Sequence, residues 1–412
     1  MTSFNTLPHP ISPSVDLKPF SISIPDAEIE RLKVLLKNSP IAPPNIWNTR
    51  NDMTNGIPRD TLVELVNRWE NEYDWRKWES TINSFPQYKV TVSDDDGTRY
   101  KVHFVGLFSK TPSAVPVVLL HGWPGSIVEF LPILLKLRSK YDPESLPFHI
   151  IAPHFIGFPF SDPPPLDKIF THVDNARLIS KTMHGLGFGE SGYVVQGGDL
   201  GSMTATELAS LDPACKLVHL NALPITPPPG TDVEADIKAG KYSPDEVESL
   251  MRSAEFMRTG NAFIKLDGNR PSTAGLLIGS SPVGLLAWLG EKMISWSDET
   301  PDTDLILTNV ALYWFTGCYP TSIAHHRLIV DGDMEPLTGG WRKVTVPLGH
   351  SSFKKELGVP PQAWVVASGK VSWQRTHEKG GHFPALEEPD RLWKDIEDFI
   401  TELWGKIDYT IN

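Results

Sequence analysis

The chain has 412 residues, with 38 Lys or Arg against 50 Asp or Glu and a formal charge of -12. At 40% hydrophobic and 21% charged residues it is too apolar for a disordered chain, and an acidic balance without a long basic run excludes a nucleic-acid or anionic-membrane surface. Cys215 and Cys318 cannot build a disulfide framework and read as small buried side chains. No Cys/His spacing asks for zinc and no motif for a nucleotide or flavin, so neither metal nor cofactor is expected. The first twenty residues carry no apolar signal core, and no stretch reaches the ~20 apolar residues of a spanning helix. The expectation is a cytoplasmic protein without a membrane anchor.

Two helical stretches, Asp26 to Lys37 and Arg59 to Asn71, precede the aromatic run Tyr73, Trp75 and Trp78. A β-hairpin follows, Tyr88 to Val92 and Tyr100 to Phe108 around Asp94-Asp95-Asp96-Gly97. Short apolar runs then alternate with helix-period segments: strand Val115 to Leu120, helix Ile127 to Lys140, strand His149 to Pro153, helix Asn175 to Leu186, strand Tyr193 to Gln196, helix Ser202 to Leu211, strand Leu217 to Leu220. This alternation predicts a mostly parallel sheet with helices on both faces. It breaks at Pro224, and from about 226 to 330 the chain is helical. It resumes with predicted strands Val344 to Pro347 and Ala363 to Ser368 and an amphipathic helix Leu392 to Trp404. The implied organisation is an N-terminal extension (1–87), a core in two parts (88–225 and 331–412) and a helical cap (226–330). A helical insert of this kind lies over the carboxyl ends of parallel strands, where ligands bind.

Three segments carry chemistry. Gly197-Gly198-Asp199-Leu200-Gly201 joins a strand to a helix, with small residues two places before and after the central Asp199. That spacing permits a tight elbow presenting its central side chain as a nucleophile. An Asp carboxylate suits attack on an sp³ carbon, leaving an alkyl ester; an Asp N-cap in a glycine-rich turn fits the same residues. His121-Gly122-Trp123-Pro124-Gly125-Ser126 follows a strand and could turn backbone N–H groups toward a cavity. Trp123 and Leu200 are then the oxyanion donors. His382, in Gly380-Gly381-His382-Phe383-Pro384, comes last in the chain, where a general base belongs. Glu356 is the preferred carboxylate to orient it, with Asp331 and Asp333 as fallbacks. His121, His154 and His325 read as structural histidines. Trp288, Trp296, Tyr313 and Trp314 read mainly as cap packing, some of them lining a pocket.

HGWPGS (121–126), GGDLGS (197–202), NRPST (269–273), LLAWLGEKMISW (285–296), LYW (312–314) and GGHFPALEEP (380–389) resemble the microsomal-type epoxide hydrolases, especially soluble fungal members. The resemblance starts at FSISIPDAEIERLK (20–33) and runs essentially the whole chain. It implies an α/β-hydrolase core with a helical cap, and a two-step reaction on a hydrophobic small molecule. Asp199 opens the epoxide as an alkyl ester, and His382, oriented by Glu356, activates water to release a vicinal diol. A homodimer is consistent with the family. The resemblance also implies two cap tyrosines over the epoxide oxygen. Matched through RPST and Arg327, those positions hold Phe263 and His326. Phe263 has no donor, and His326 can donate through one ring nitrogen. Three readings follow: epoxide hydrolysis with His326 as donor; a non-hydrolytic acid–base enzyme (ring formation, isomerisation or C–C cleavage) of a natural-product pathway; or a non-catalytic binder. The intact Asp–His–Glu set argues against the third.

Overall fold

A computed structural model describes residues 3–223, 225–330 and 344–407. The fallback residues Asp331 and Asp333, and Pro224, lie outside the described residues.

The described strands form one nine-stranded sheet in the order β1-β2-β3-β5-β4-β6-β7-β8-β9. β1 (Asp16–Pro19), β2 (Gln87–Ser93) and β3 (Arg99–Leu107) pair antiparallel, as does β3 with β5 (Phe148–Pro153). From β5 onward every pair is parallel, through β4 (Val115–Leu120), β6 (Tyr193–Gly197), β7 (Cys215–Leu220), β8 (Leu348–Phe353) and β9 (Val371–His377). β4 is buried along its whole length, as a central strand covered on both faces must be. The β2–β3 turn uses Gly97 at φ 83, and buried Asp94 within it receives Arg177 Nε at 2.6 Å.

Helices cover both faces. His172–Gly185 opens on a reciprocal Thr171/Asp174 capping box. Pro389–Leu403 lays Leu392, Trp393, Ile396, Phe399 and Ile400 against the sheet at helical spacing. The N-terminal helices Asp26–Asn38, Arg59–Asn71 and Trp75–Asn83 reach the cap: Arg68 Nε donates to Asp304 at 2.8 Å and the Tyr73 hydroxyl lies 3.0 Å from Thr308 Oγ1.

Between β7 and β8 the described chain is helical, including Pro244–Glu255, Ala262–Asn269, Pro271–Ile278, Pro282–Ser295 and Thr303–Thr316. A π-helical turn, Phe256–Gly260, interrupts the run just before Phe263. Among the described residues no single helix is long and apolar enough to cross a membrane.

Two predicted strands are corrected. Ala363 to Ser368 is part of a helix, Gln362–Ser368, closed by Gly369 at φ 62, and the last strand follows it as Val371–His377. The strand predicted at Val344 to Pro347 lies further on, at Leu348–Phe353. A short apolar run does not distinguish helix from strand. In this one, Gly369 supplies the left-handed residue that ends a helix.

Candidate active site

β4 and β6 are neighbours, with Leu120 opposite Gly197. Their carboxyl-end loops therefore emerge side by side, which brings His121–Ser126 against the elbow. The approach leaves no room for side chains: a Cβ on Gly201 would lie 2.2 Å from the Leu120 carbonyl oxygen, and one on Gly197 2.3 Å from that of Gly201. Asp199 sits between them at φ 49, ψ -125, a conformation an L residue adopts at a cost of about 1–3 kcal/mol and one characteristic of functional positions.

The structure brings Asp199, His382 and Glu356 together. Asp199 Oδ1 accepts from Trp123 N–H at 2.8 Å, and the neighbouring Leu200 N–H favours the charged carboxylate. His382 Nε2 lies 3.3 Å from Asp199 Oδ2, and His382 Nδ1 lies 2.7 Å from Glu356 Oε1. Glu356 stands three residues past β8 and His382 in the loop after β9. Glu356 is fixed in turn by Leu357 N–H at 2.7 Å, and His382 N–H donates to the Trp296 carbonyl at 2.9 Å. Burial pushes the Asp199 carboxyl up, but His382 and the Trp123 and Leu200 N–H groups outweigh it and hold the group at about 2. Burial pulls the His382 imidazole down, and the flanking Glu356 and Asp199 carboxylates lift it well above its ordinary value.

The cap closes over this triad with aromatic rings. The Phe263 ring stacks on Trp123 at 5.2 Å and 8°, and the Trp296 ring meets His382 edge-on at 5.2 Å. His326 stands edge-on to Trp123 at 4.7 Å and to Phe263 at 5.2 Å. No phenol occupies either place. Trp296 thus lines the site. Tyr313 is fully buried, and its hydroxyl donates to the Gly125 carbonyl at 2.8 Å, holding the Trp123 loop as well as packing.

Two site residues escape the sequence reading. Glu129 Oε1 accepts from Gly122 N–H at 3.3 Å, close to Asp199. Burial, with the Asp199 charge beside it, pushes its carboxyl up to about 8. The available signal was one acid within the apolar run Ile127, Val128, Phe130, Leu131. Asn309 clamps the same loop, donating to the Pro124 carbonyl at 2.7 Å and accepting from Ser126 Oγ at 2.7 Å. A lone Asn in the helix Thr303–Thr316 gave no signal. Glu129, Gln196, Asn221, Asp199 and His382 line a narrow cavity of about 10 Å³, on the order of one water molecule.

Of the structural histidines, His121 Nδ1 faces the Gly122 carbonyl at 2.9 Å and His154 accepts from Ile127 N–H at 3.2 Å. His325 packs on His326, with ring centroids 4.1 Å apart. Both cysteines are free and buried.

Residues 17–130 match the family described as epoxide hydrolase N terminus, and residues 115–261 the alpha/beta hydrolase fold. The structure of Aspergillus niger epoxide hydrolase is 40% identical, covers 98% of this chain and 100% of its own, and superposes with a TM-score of 0.88. Juvenile hormone epoxide hydrolase from the silkworm Bombyx mori is 26% identical over 94% of this chain and 95% of its own, with a TM-score of 0.82. Epoxide hydrolase 1 of Oryctolagus cuniculus is 29% identical over 93% of this chain and 88% of its own. With this likeness over nearly its full length and an α/β-hydrolase fold beneath it, the chain belongs to the epoxide hydrolase family.

Proposed function

We propose that the protein opens an epoxide on a hydrophobic small molecule and hydrolyses the resulting ester to a vicinal diol. The observation that carries this reading is the strained Asp199, held at Oδ1 by the Trp123 N–H while its Oδ2 lies 3.3 Å from His382 Nε2, whose Nδ1 is held by Glu356. Asp199 Oδ2 attacks an epoxide carbon, the carbon–oxygen bond breaks, and the ring oxygen takes a proton from His326. Esterification removes the Asp199 charge, one of the two charges that hold the His382 proton. His382 then releases that proton and becomes a base. Water attacks Asp199 Cγ, and the charge on Oδ1 falls on the N–H groups of Trp123 and Leu200. The diol leaves with Oδ2, and the water oxygen stays on Asp199. The apolar wall of Trp123, Phe263 and Trp296 favours a hydrophobic substrate.

Phe263 and His326, at the two phenol positions, favour a second reading: an acid–base enzyme of ring formation, isomerisation or C–C cleavage on the same scaffold. A single turnover in ¹⁸O-water separates them. The covalent route puts no ¹⁸O in the first diol and one ¹⁸O in the Asp199 peptide. Label in the diol and none in Asp199 contradicts the ester, and conversion without any diol supports the second reading.

A further inference from the structure

Which nitrogen of His326 carries the hydrogen depends on what stands against its Nδ1. Against it is Asp267, on the cap helix Ala262–Asn269, with no solvent exposure. Asp267 Oδ2 lies 3.2 Å from His326 Nδ1. The pair is off the line of a formed hydrogen bond, and neither atom has another hydrogen-bond partner. The other carboxyl oxygen, Oδ1, accepts the Tyr319 hydroxyl at 2.9 Å, and Tyr319 is itself buried. Tyr319, Asp267 and His326 are thus linked in succession within the cap, and the His326 ring contacts that of Trp123.

We propose that Asp267 is the positioning residue that keeps His326 competent as an acid: one proton shared between Asp267 and His326 Nδ1 leaves a hydrogen on His326 Nε2 for the epoxide oxygen. The proposal rests on the ring-opening reading above. If Asp267 were an ordinary carboxylate, it would draw the single imidazole hydrogen to Nδ1 and leave a bare lone pair on Nε2, a useless acid. A protonated carboxyl donating to Nδ1 fixes the opposite tautomer. Burial supports this form, pushing the Asp267 carboxyl up to about 6 and the His326 imidazole down to about 3. The groups that act on the pair are Tyr319, His325 and Lys292 on Asp267, and Asp199 and Lys292 on His326. Lys292 is buried, pairs with half-buried Glu291, and its Nζ lies 5.3 Å from the Phe263 ring centre.

The step balances. The Asp199 Oδ2–carbon bond forms as the epoxide carbon–oxygen bond breaks, and the Nε2 hydrogen moves to the ring oxygen. The Asp267 carboxyl proton passes to Nδ1, leaving a carboxylate held by the Tyr319 hydroxyl. Solvent returns one proton to the pair after each turnover.

The test is ¹⁵N-histidine NMR on the full chain, with His326 identified from a His326→Gln spectrum. The expected result is a tautomer exchange: Nε2 bears hydrogen at low pH, and Nδ1 bears it once the pair has lost its proton. Asp267→Asn should abolish the exchange, and Tyr319→Phe, which removes a donor to the carboxylate, should move it to higher pH. One unchanging tautomer from pH 5 to 9 in the unsubstituted chain, or the same exchange in Asp267→Asn, overturns the proposal. In a His382→Gln background, the rate at which simple epoxides label Asp199 should fall with rising pH. Asp267→Asn, whose amide can donate to Nδ1 but has no proton to pass to it, should lower that rate about 100-fold and flatten the fall, without changing the half-saturating epoxide concentration, and Asp267→Glu should recover part of the rate. Labelling within threefold of the Asp267 parent, with the same pH dependence, overturns the relay but leaves the ring-opening reading intact. The tautomer exchange without any labelling leaves the pair intact and removes the ring-opening reading.

Discussion

Lowering the pH from 6.5 to 5 should destabilise this protein through its buried histidines. His103, His121, His219 and His350 are buried, and burial holds His103 and His350 at about 3 and His121 and His219 at about 4, against 6.5 for an exposed imidazole. One ring nitrogen in each of His121, His219 and His350 has no hydrogen-bond partner, so a proton added there finds no acceptor. With the folded values depressed, the unfolded chain takes up protons below pH 6.5 while the folded chain does not. This contribution to stability is complete above pH 6.5 and is lost as pH falls toward 4 to 3. From pH 6.5 to 5 the four imidazoles together cost about 6 kcal/mol. Glu129 and Asp267 act in the opposite sense, because folding raises them to about 8 and about 6. Over the same interval they return about 3 kcal/mol. The net loss from these six groups is about 3 kcal/mol, a sizeable share of the roughly 5–15 kcal/mol typical of a folded protein. Guanidinium titrations followed by tryptophan fluorescence at pH 6.5 and 5.0 measure it. A loss below about 1 kcal/mol would refute the assignment of these histidines as neutral buried groups.

Three substitutions test the site's construction. Gly201→Ala puts a Cβ 2.2 Å from the Leu120 carbonyl oxygen; the elbow cannot keep its geometry, and activity should vanish with a lowered melting temperature. Tyr313→Phe removes the donor to the Gly125 carbonyl and should cost about 1–3 kcal/mol in a denaturation assay, with a lower kcat because the Trp123 loop loses an anchor. Phe263→Tyr returns a phenol to a ring stacked on Trp123; single-turnover ester formation should rise about 10- to 100-fold, and no change would mean that the position does not address the epoxide oxygen.

Much of the fold was legible because its signals are local. The all-apolar β4 and the helix Arg59–Asn71 with its buried Leu65, Val66 and Trp69 follow from spacing alone. β8 carries no apolar strand signal, because LGHSSF is polar yet buried. Its Ser351 is satisfied by His219 and Asp395, partners distant in the chain. β9 resembles no buried strand because it is the sheet edge and half-exposed. The triad was legible because elbow and chain order constrain it. Glu129, Asn309 and Asp267 were not, since each acts through a contact that only the fold creates. Tyr313 was read as packing because its partner is a backbone carbonyl 188 residues away.

The central claim is that Asp199 forms a covalent ester with an epoxide carbon. Intact mass of His382→Gln after incubation with a panel of simple and allylic epoxides tests it most directly, since removing the base strands the ester. The account predicts a gain equal to the epoxide mass, located in the Gly197–Ser202 peptide and absent from Asp199→Asn. A folded His382→Gln protein that gains no mass across the panel, or gains it at another residue, would contradict it.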